Sequence, residues 1–159
     1  MKALKLHLAI IGFCFLMTFY SFSVPKSYQT ECLSIETNGY ITIKIWDIKN
    51  GAKYKPEQAR KDAIHAVLFS GVAGGITCAT QPPILIQSDE QDNFKAIEKS
   101  FFSKNGKWSS YTRSSLTSTT LPSSLGEKNW KVYQISVSKN ELRKYLEDQK
   151  VIKSLNNGF

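Results

Sequence analysis

Histidine is almost missing from this chain of 159 residues: there are two, His7 and His65. The three cysteines, Cys14, Cys32 and Cys78, stand far apart and form no CxxC pair. A zinc site draws three or four His, Cys or carboxylate ligands at close spacing, so no metal site and no other cofactor is expected. No Asn-x-Ser/Thr sequon occurs, which leaves N-glycosylation without an acceptor. Beyond the first two dozen residues no apolar run approaches the roughly 20 residues of a spanning helix. Acidic groups are also scarce, 13 against 21 basic ones, for a formal charge of +8. With 42% apolar and 21% charged residues, a disordered tail, a collagen-like repeat and a coiled coil are excluded. What remains is one compact domain behind a leader.

Met1, Lys2 and Lys5 give a short positive start, and Leu6 to Tyr20 is almost wholly apolar. Ser21-Phe22-Ser23 then sets small residues at the positions a signal peptidase reads. The expectation is a secretory signal over residues 1–23, cut after Ser23, and a single mature domain over 24–159. A retained membrane anchor is the competing reading, but the apolar core is short and ends in a cleavable pattern. A bacterial lipid anchor needs a small residue before its cysteine, and here Phe13 precedes Cys14. In an exported domain Cys32 and Cys78 are expected to form a disulfide. Two separate buried thiols are the alternative.

Residues 40–48 alternate Ile41, Ile43 and Ile45 with Thr42, Lys44 and Trp46, the pattern of a half-buried strand. Asn50-Gly51 marks a turn. Pro56 opens a helix with Glu57 in its first turn, running to about Ser70 with Gly71 as its stop. Ala59, Ala63, Ala66 and Val67 form its inner face, widened by Ile64 and Leu68. Residues 71–83 read as a Gly/Pro-rich loop, followed by a short strand at Ile84-Leu85-Ile86. Ser88 and Gln91 predict a capping box for a second helix, with Phe94, Ile97, Phe101 and Phe102 on one face and Asn105-Gly106 at its end. A strand over 109–116 drifts into a Ser/Thr-rich loop, whose deletion within 117–124 should leave the fold intact. That strand pairs with one over 130–137, whose core face is Tyr133, Ile135 and Val137. Ser138 and Glu141 predict a cap for the last helix, which carries Leu142, Tyr145 and Leu146 and is followed by Val151, Ile152 and Leu155; Asn156 to Phe159 should fray. The fold class is α+β: a two-layer sandwich in which a small, mainly antiparallel sheet is covered on one face by two or three helices.

Catalytic constellations do not assemble. His65 beside Asp62 reads as a helix-surface pair. Ser136 and Lys139 match a Ser-x-x-Lys spacing, but Ser136 ends a strand, whereas that chemistry places its serine at a helix start. The glycines at 71, 74 and 75 follow a helix, whereas phosphate loops precede one. Glu57, Asp62, Glu98, Glu141, Glu147 and Asp148 read as solvated helix charges. A hydrolase would need a cleft that brings Ser or Thr residues to His65. The basic residues Lys44, Lys49, Lys53, Lys55, Arg60 and Lys61 cluster around the first strand and helix start, with Trp46 and Tyr54 among them. Basic groups mixed with exposed aromatics can bind anionic polymers, so Lys44, Trp46, Lys53, Tyr54, Lys55 and Arg60 are the candidate binding residues, with Trp46 expected opposite the Ile row on the less buried face. The matching partner would be an anionic envelope polymer or lipid headgroup, with nucleic acid not expected.

Taken together, the runs 39–45, 58–71, 81–85, 94–102 and 130–152 resemble a group of small exported proteins of Gram-negative bacteria with no assigned activity. More distantly, the strand followed by Ala59-Arg60-x-x-Ala63 resembles the N-terminal domain of flagellar assembly T proteins and related outer-membrane lipoproteins. This chain departs from those lipoproteins in lacking the lipid-bearing cysteine. The resemblance implies a non-catalytic accessory or assembly module of the cell envelope, in the periplasm, at the outer membrane or released outside, whose partner is another envelope protein.

Overall fold

A computed structural model of the protein describes residues 27–120 and 130–154. Residues 1–26, 121–129 and 155–159 lie outside the described residues, and with them the expected signal over 1–23, Leu155 and the expected fraying of Asn156 to Phe159.

Among the described residues four antiparallel strands form one sheet: β1 (Tyr28–Ile35), β2 (Tyr40–Asp47), β3 (Thr112–Thr120) and β4 (Lys131–Ser138), in the order β1-β2-β4-β3. Three α-helices of the described residues, α1 (Pro56–His65), α2 (Ser88–Phe101) and α3 (Lys139–Asp148), complete the α+β sandwich. The alternation in β2 and β4 does what period two requires. Ile41, Ile43 and Ile45 stand opposite Val137, Ile135 and Tyr133, giving three apolar rungs buried toward the helices. The small residues of α1 let its axis lie close to that face: Ala59, Ala63 and Ala66 are fully buried, with Ile64, Val67 and Leu68 beside them.

The end of α1 widens into a π-helical turn over Ala66–Ser70, where the Gly71 N–H reaches back to the Ala66 carbonyl. Carbonyls left over at a helix end need outside donors. Those of Val67 and Leu68 receive the N–H groups of Ile84 and Leu85, both at 2.9 Å. Residues 84–86 are therefore not the short strand their composition predicts, because their partners are helix-end carbonyls and not another strand. Gly71 stops the helix as expected, at φ +75°. A Cβ there would lie 2.7 Å from the Gln81 carbonyl oxygen. Gly71→Ala is expected to destabilise the domain by more than about 1 kcal/mol, read as a lower urea midpoint; an unchanged midpoint would contradict this conformation.

Other boundaries move. β1 was not foreseen: Tyr28, Thr30 and Cys32 alternate with Gln29 and Glu31, too polar a run to stand out. The cap of α2 is one residue early: Gln87 and Glu90 form the capping box, not Ser88 and Gln91. Ser138 is the N-cap of α3, but its side chain makes no capping bond. Residues 107–111 are a 3₁₀ turn that buries Trp108, so β3 starts only at Thr112. Thr119 and Thr120 still pair with Val132 and Lys131. Deleting any of residues 117–120 would thus cut into β3 and not merely shorten a loop, while 121–124 lie outside the described residues.

Candidate contact site along the first strand

β1 is a sheet edge, and the pairing fixes which of its groups face outward. Ser27 accepts a hydrogen bond from the Ile48 N–H, so odd positions point their main chain at β2. The Cys32 N–H points away and donates to the Ala73 carbonyl at 2.8 Å. The register is regular from Tyr28 to Cys32. By the two-residue period, the N–H and C=O groups of Tyr28 and Thr30 also point away from β2.

Those groups face a groove of about 670 Å³, floored by residues 28–30 and walled by 70–73 and 80–83. None of its lining side chains is charged. Its two walls are tied together by reciprocal bonds between Val72 and Gln81, each 2.9 Å. They are also tied to the sheet: Cys32 and Cys78 meet at sulfur bonding distance, with Cα atoms 5.5 Å apart, as the exported-domain reading expected. Gly75 lies against the Cys32 carbonyl, where a Cβ would come within 2.2 Å. Thr77 donates its hydroxyl to the Leu33 carbonyl. The connecting loop carries Ile76 at its tip, 99% exposed.

At one end of the groove the Tyr28 hydroxyl sits 2.7 Å from His65 Nδ1 and 3.3 Å from Ser70 Oγ. His65 also packs on Phe69, with ring centroids 4.8 Å apart. It borders a cavity of about 240 Å³ lined by Gln58, Lys61, Asp62, Glu98 and Phe102 as well. No Ser or Thr lines that cavity; Ser70 meets the Tyr28 hydroxyl, on the groove side. Asp62 is not the solvated surface charge expected. It is buried, and it accepts from the Tyr54 hydroxyl at 2.9 Å and the Gln58 amide at 2.8 Å. Among the described residues no group of His, Cys, Asp and Glu side chains is arranged to hold a metal.

The basic-aromatic candidates are not gathered into one surface. Tyr54 is fully buried, since its ring packs on Tyr133 and its hydroxyl is committed to Asp62. Trp46 lies on the face opposite the Ile row, as its place in the alternation dictates, yet is only 9% exposed. It stands opposite Gln29 and Val132, with the Lys44 ammonium 5.7 Å from its ring centroid. Neither aromatic is therefore the exposed stacking platform expected. Lys44 pairs with Glu31 at 3.0 Å. Arg60 holds the turn before β3: its guanidinium donates to Thr112 Oγ1 and to the Ser109 carbonyl, and lies 5.2 Å from the Trp108 ring centroid. Lys53 and Lys55 are exposed beside a shallow cavity of about 240 Å³ at the start of α1. Lys44 and Arg60 are thus engaged within the fold, while Lys53 and Lys55 stay exposed. The groove residues were missed because β1 itself was missed; the signal was the Tyr28, Thr30, Cys32 alternation.

Burial also sets the protonation of this region. It pushes the Tyr28 hydroxyl up to about 12, with the Ser70 hydrogen bond acting the other way and the charge of Asp62 adding to the rise. Tyr54 is raised further, by burial first and then by Asp62. Tyr111, Tyr133 and Tyr145 are raised by burial too. Asp47 goes the other way: burial would raise it, but the Asn50 N–H, the Ser27 hydroxyl, the Asn50 amide and the Lys49 N–H together hold it below the usual carboxylate range. For the tyrosines the folded state keeps its protons longer than the unfolded chain. The contribution of Tyr28 is therefore complete below the ordinary value of 10 and is lost as pH climbs through about 12, and the other buried tyrosines act in the same direction. Tyrosinate absorbance should rise in step with cooperative unfolding in that window. Full ionisation with the fold intact at pH 11 would contradict these environments.

Edge strand, uncharged groove and cystine-held loop define an α+β sandwich in which the β1 edge is open along Tyr28–Thr30. No family model, no curated protein and no solved structure matches the chain.

Proposed function

We propose that this chain is exported and works without catalysis, as a module that binds another protein of the cell envelope, and that the groove beside β1 is where it binds. The observation that carries the reading is the uncharged groove of about 670 Å³ against the outward-facing edge of β1. Its volume lies within the range of functional clefts. The leader pattern and the meeting of Cys32 with Cys78 support an oxidising compartment. Among the described residues no helix is long and apolar enough to cross a membrane. The resemblance to small exported proteins and envelope lipoproteins points the same way.

The test is crosslinking in intact cells followed by purification of the chain and mass spectrometry of both components. The expected result is an envelope protein enriched above background, bound to a chain that begins at Val24. Recovery of no envelope protein, or a chain still beginning at Met1, would overturn the proposal.

A further inference from the structure

We infer that the occupant of the groove is an extended, uncharged peptide segment of the partner, added to the sheet as a short strand on the edge of β1. This rests on the reading that the groove is a protein-contact site, and names how the contact is made.

An open strand edge is a template for another main chain, and strand addition draws its affinity from main-chain hydrogen bonds. The outward groups of Tyr28 and Thr30, on alternate residues, present a donor and an acceptor each to whatever lies in the groove. A side chain or a sugar meets such a repeat only in part, while an extended peptide matches it at every second residue. The absence of charge from the lining selects the segment, because a charged side chain placed there would lose water without gaining a partner.

A second copy of this chain fits less well. Pairing β1 with β1 would need the whole edge, and its second half is already covered. Ala73 takes the Cys32 N–H, Gly75 lies against the Cys32 carbonyl, and the Cys32–Cys78 pair holds that loop in place. Only the Tyr28–Thr30 stretch is open, enough for a few residues of added strand and not for an eight-residue strand of a twin.

The probe is a displayed library of random ten-residue peptides selected on the oxidised protein. Expected winners share an uncharged core of three or four residues. Methylating the amide nitrogens on one alternate set within that core should weaken binding at least tenfold, while methylating the intervening set changes it little. Ala73→Glu, which sets a charge on an exposed wall position without touching its main-chain bonds, should also weaken binding at least tenfold. Thr30→Pro removes one outward N–H and leaves the β2 ladder intact, since proline is tolerated on an edge; it also removes the hydroxyl that accepts from the Ala73 N–H, so it should bind at least tenfold more weakly than Thr30→Val, which loses the hydroxyl alone. If Thr30→Pro does not fold, the methylated peptides still decide the point. Failure to select any peptide, equal tolerance of both methylation sets, or indifference to Ala73→Glu would overturn strand addition, as would a dimer paired through β1 in solution. A cellular partner that binds the wild type and the Ala73→Glu variant equally would sink this inference while leaving the wider contact reading standing.

Discussion

Replacing Cys32 and Cys78 together by alanine is expected to lower the free energy of unfolding by about 3–4 kcal/mol. The bridge spans 46 residues of sequence, and a crosslink of that length mainly restricts the unfolded chain. Here it does a second thing. It fastens the loop after α1 to β1, the loop that covers the second half of the strand and forms one wall of the groove. Urea denaturation of the oxidised protein and the double variant measures the first effect. The variant should unfold at a lower midpoint and with a steeper denaturant dependence, because its unfolded state exposes more surface. The intact protein should also be lighter by two hydrogens than its reduced form. Equal midpoints would show that the bridge does not form or does not constrain the chain. Peptide binding should weaken in parallel, since the freed loop no longer holds the Cys32 edge.

Phe94→Ala is expected to cost about 3–5 kcal/mol. Phe94 is completely buried on the inner face of α2. It meets Phe69 and Phe101 edge-on, each with centroids 5.4 Å away, and Phe102 at 6.2 Å. Few groups near it can close the cavity, because Phe69 is fixed in the π-helical turn and Phe101 is itself packed against Tyr145. The thermal midpoint should drop by roughly 10–20 °C, at about 4 °C per kcal/mol for a domain of this size. A drop of only a degree or two would mean that α2 is not seated on this cluster. Ile76→Ser offers the contrast: with that side chain in water, stability should stay within about 0.5 kcal/mol.

The reach of the sequence depended on how loudly each segment declared its period. β2 could be read because three isoleucines alternate with polar residues, and β4 because Tyr133, Ile135 and Val137 do. α1 was legible through Pro56, the alanine spacing and Gly71. β1 was not, since Gln29, Thr30 and Glu31 dilute its pattern, and with it went the sheet edge and the groove. The basic-aromatic cluster misled about the exposure of Trp46 and Tyr54 for a different reason. Composition places Lys44, Trp46, Tyr54 and Arg60 close together in the chain, but alternation and helix phase send them to different surroundings. Tyr54 turns inward to Asp62, Arg60 clamps the turn before β3, and Lys44 pairs with Glu31. Asp62 illustrates the same limit. A carboxylate in a charged helix reads as surface until its tyrosine partner, eight residues earlier, is seen to bury it.

The most direct measurement places a photo-activated crosslinking residue at Thr80, on the groove wall, and separately at exposed Lys53, in living cells. An envelope protein is expected to be captured from Thr80 and not from Lys53. Capture from Lys53 with nothing from Thr80 would mean that this protein makes its contacts elsewhere than along the edge of β1.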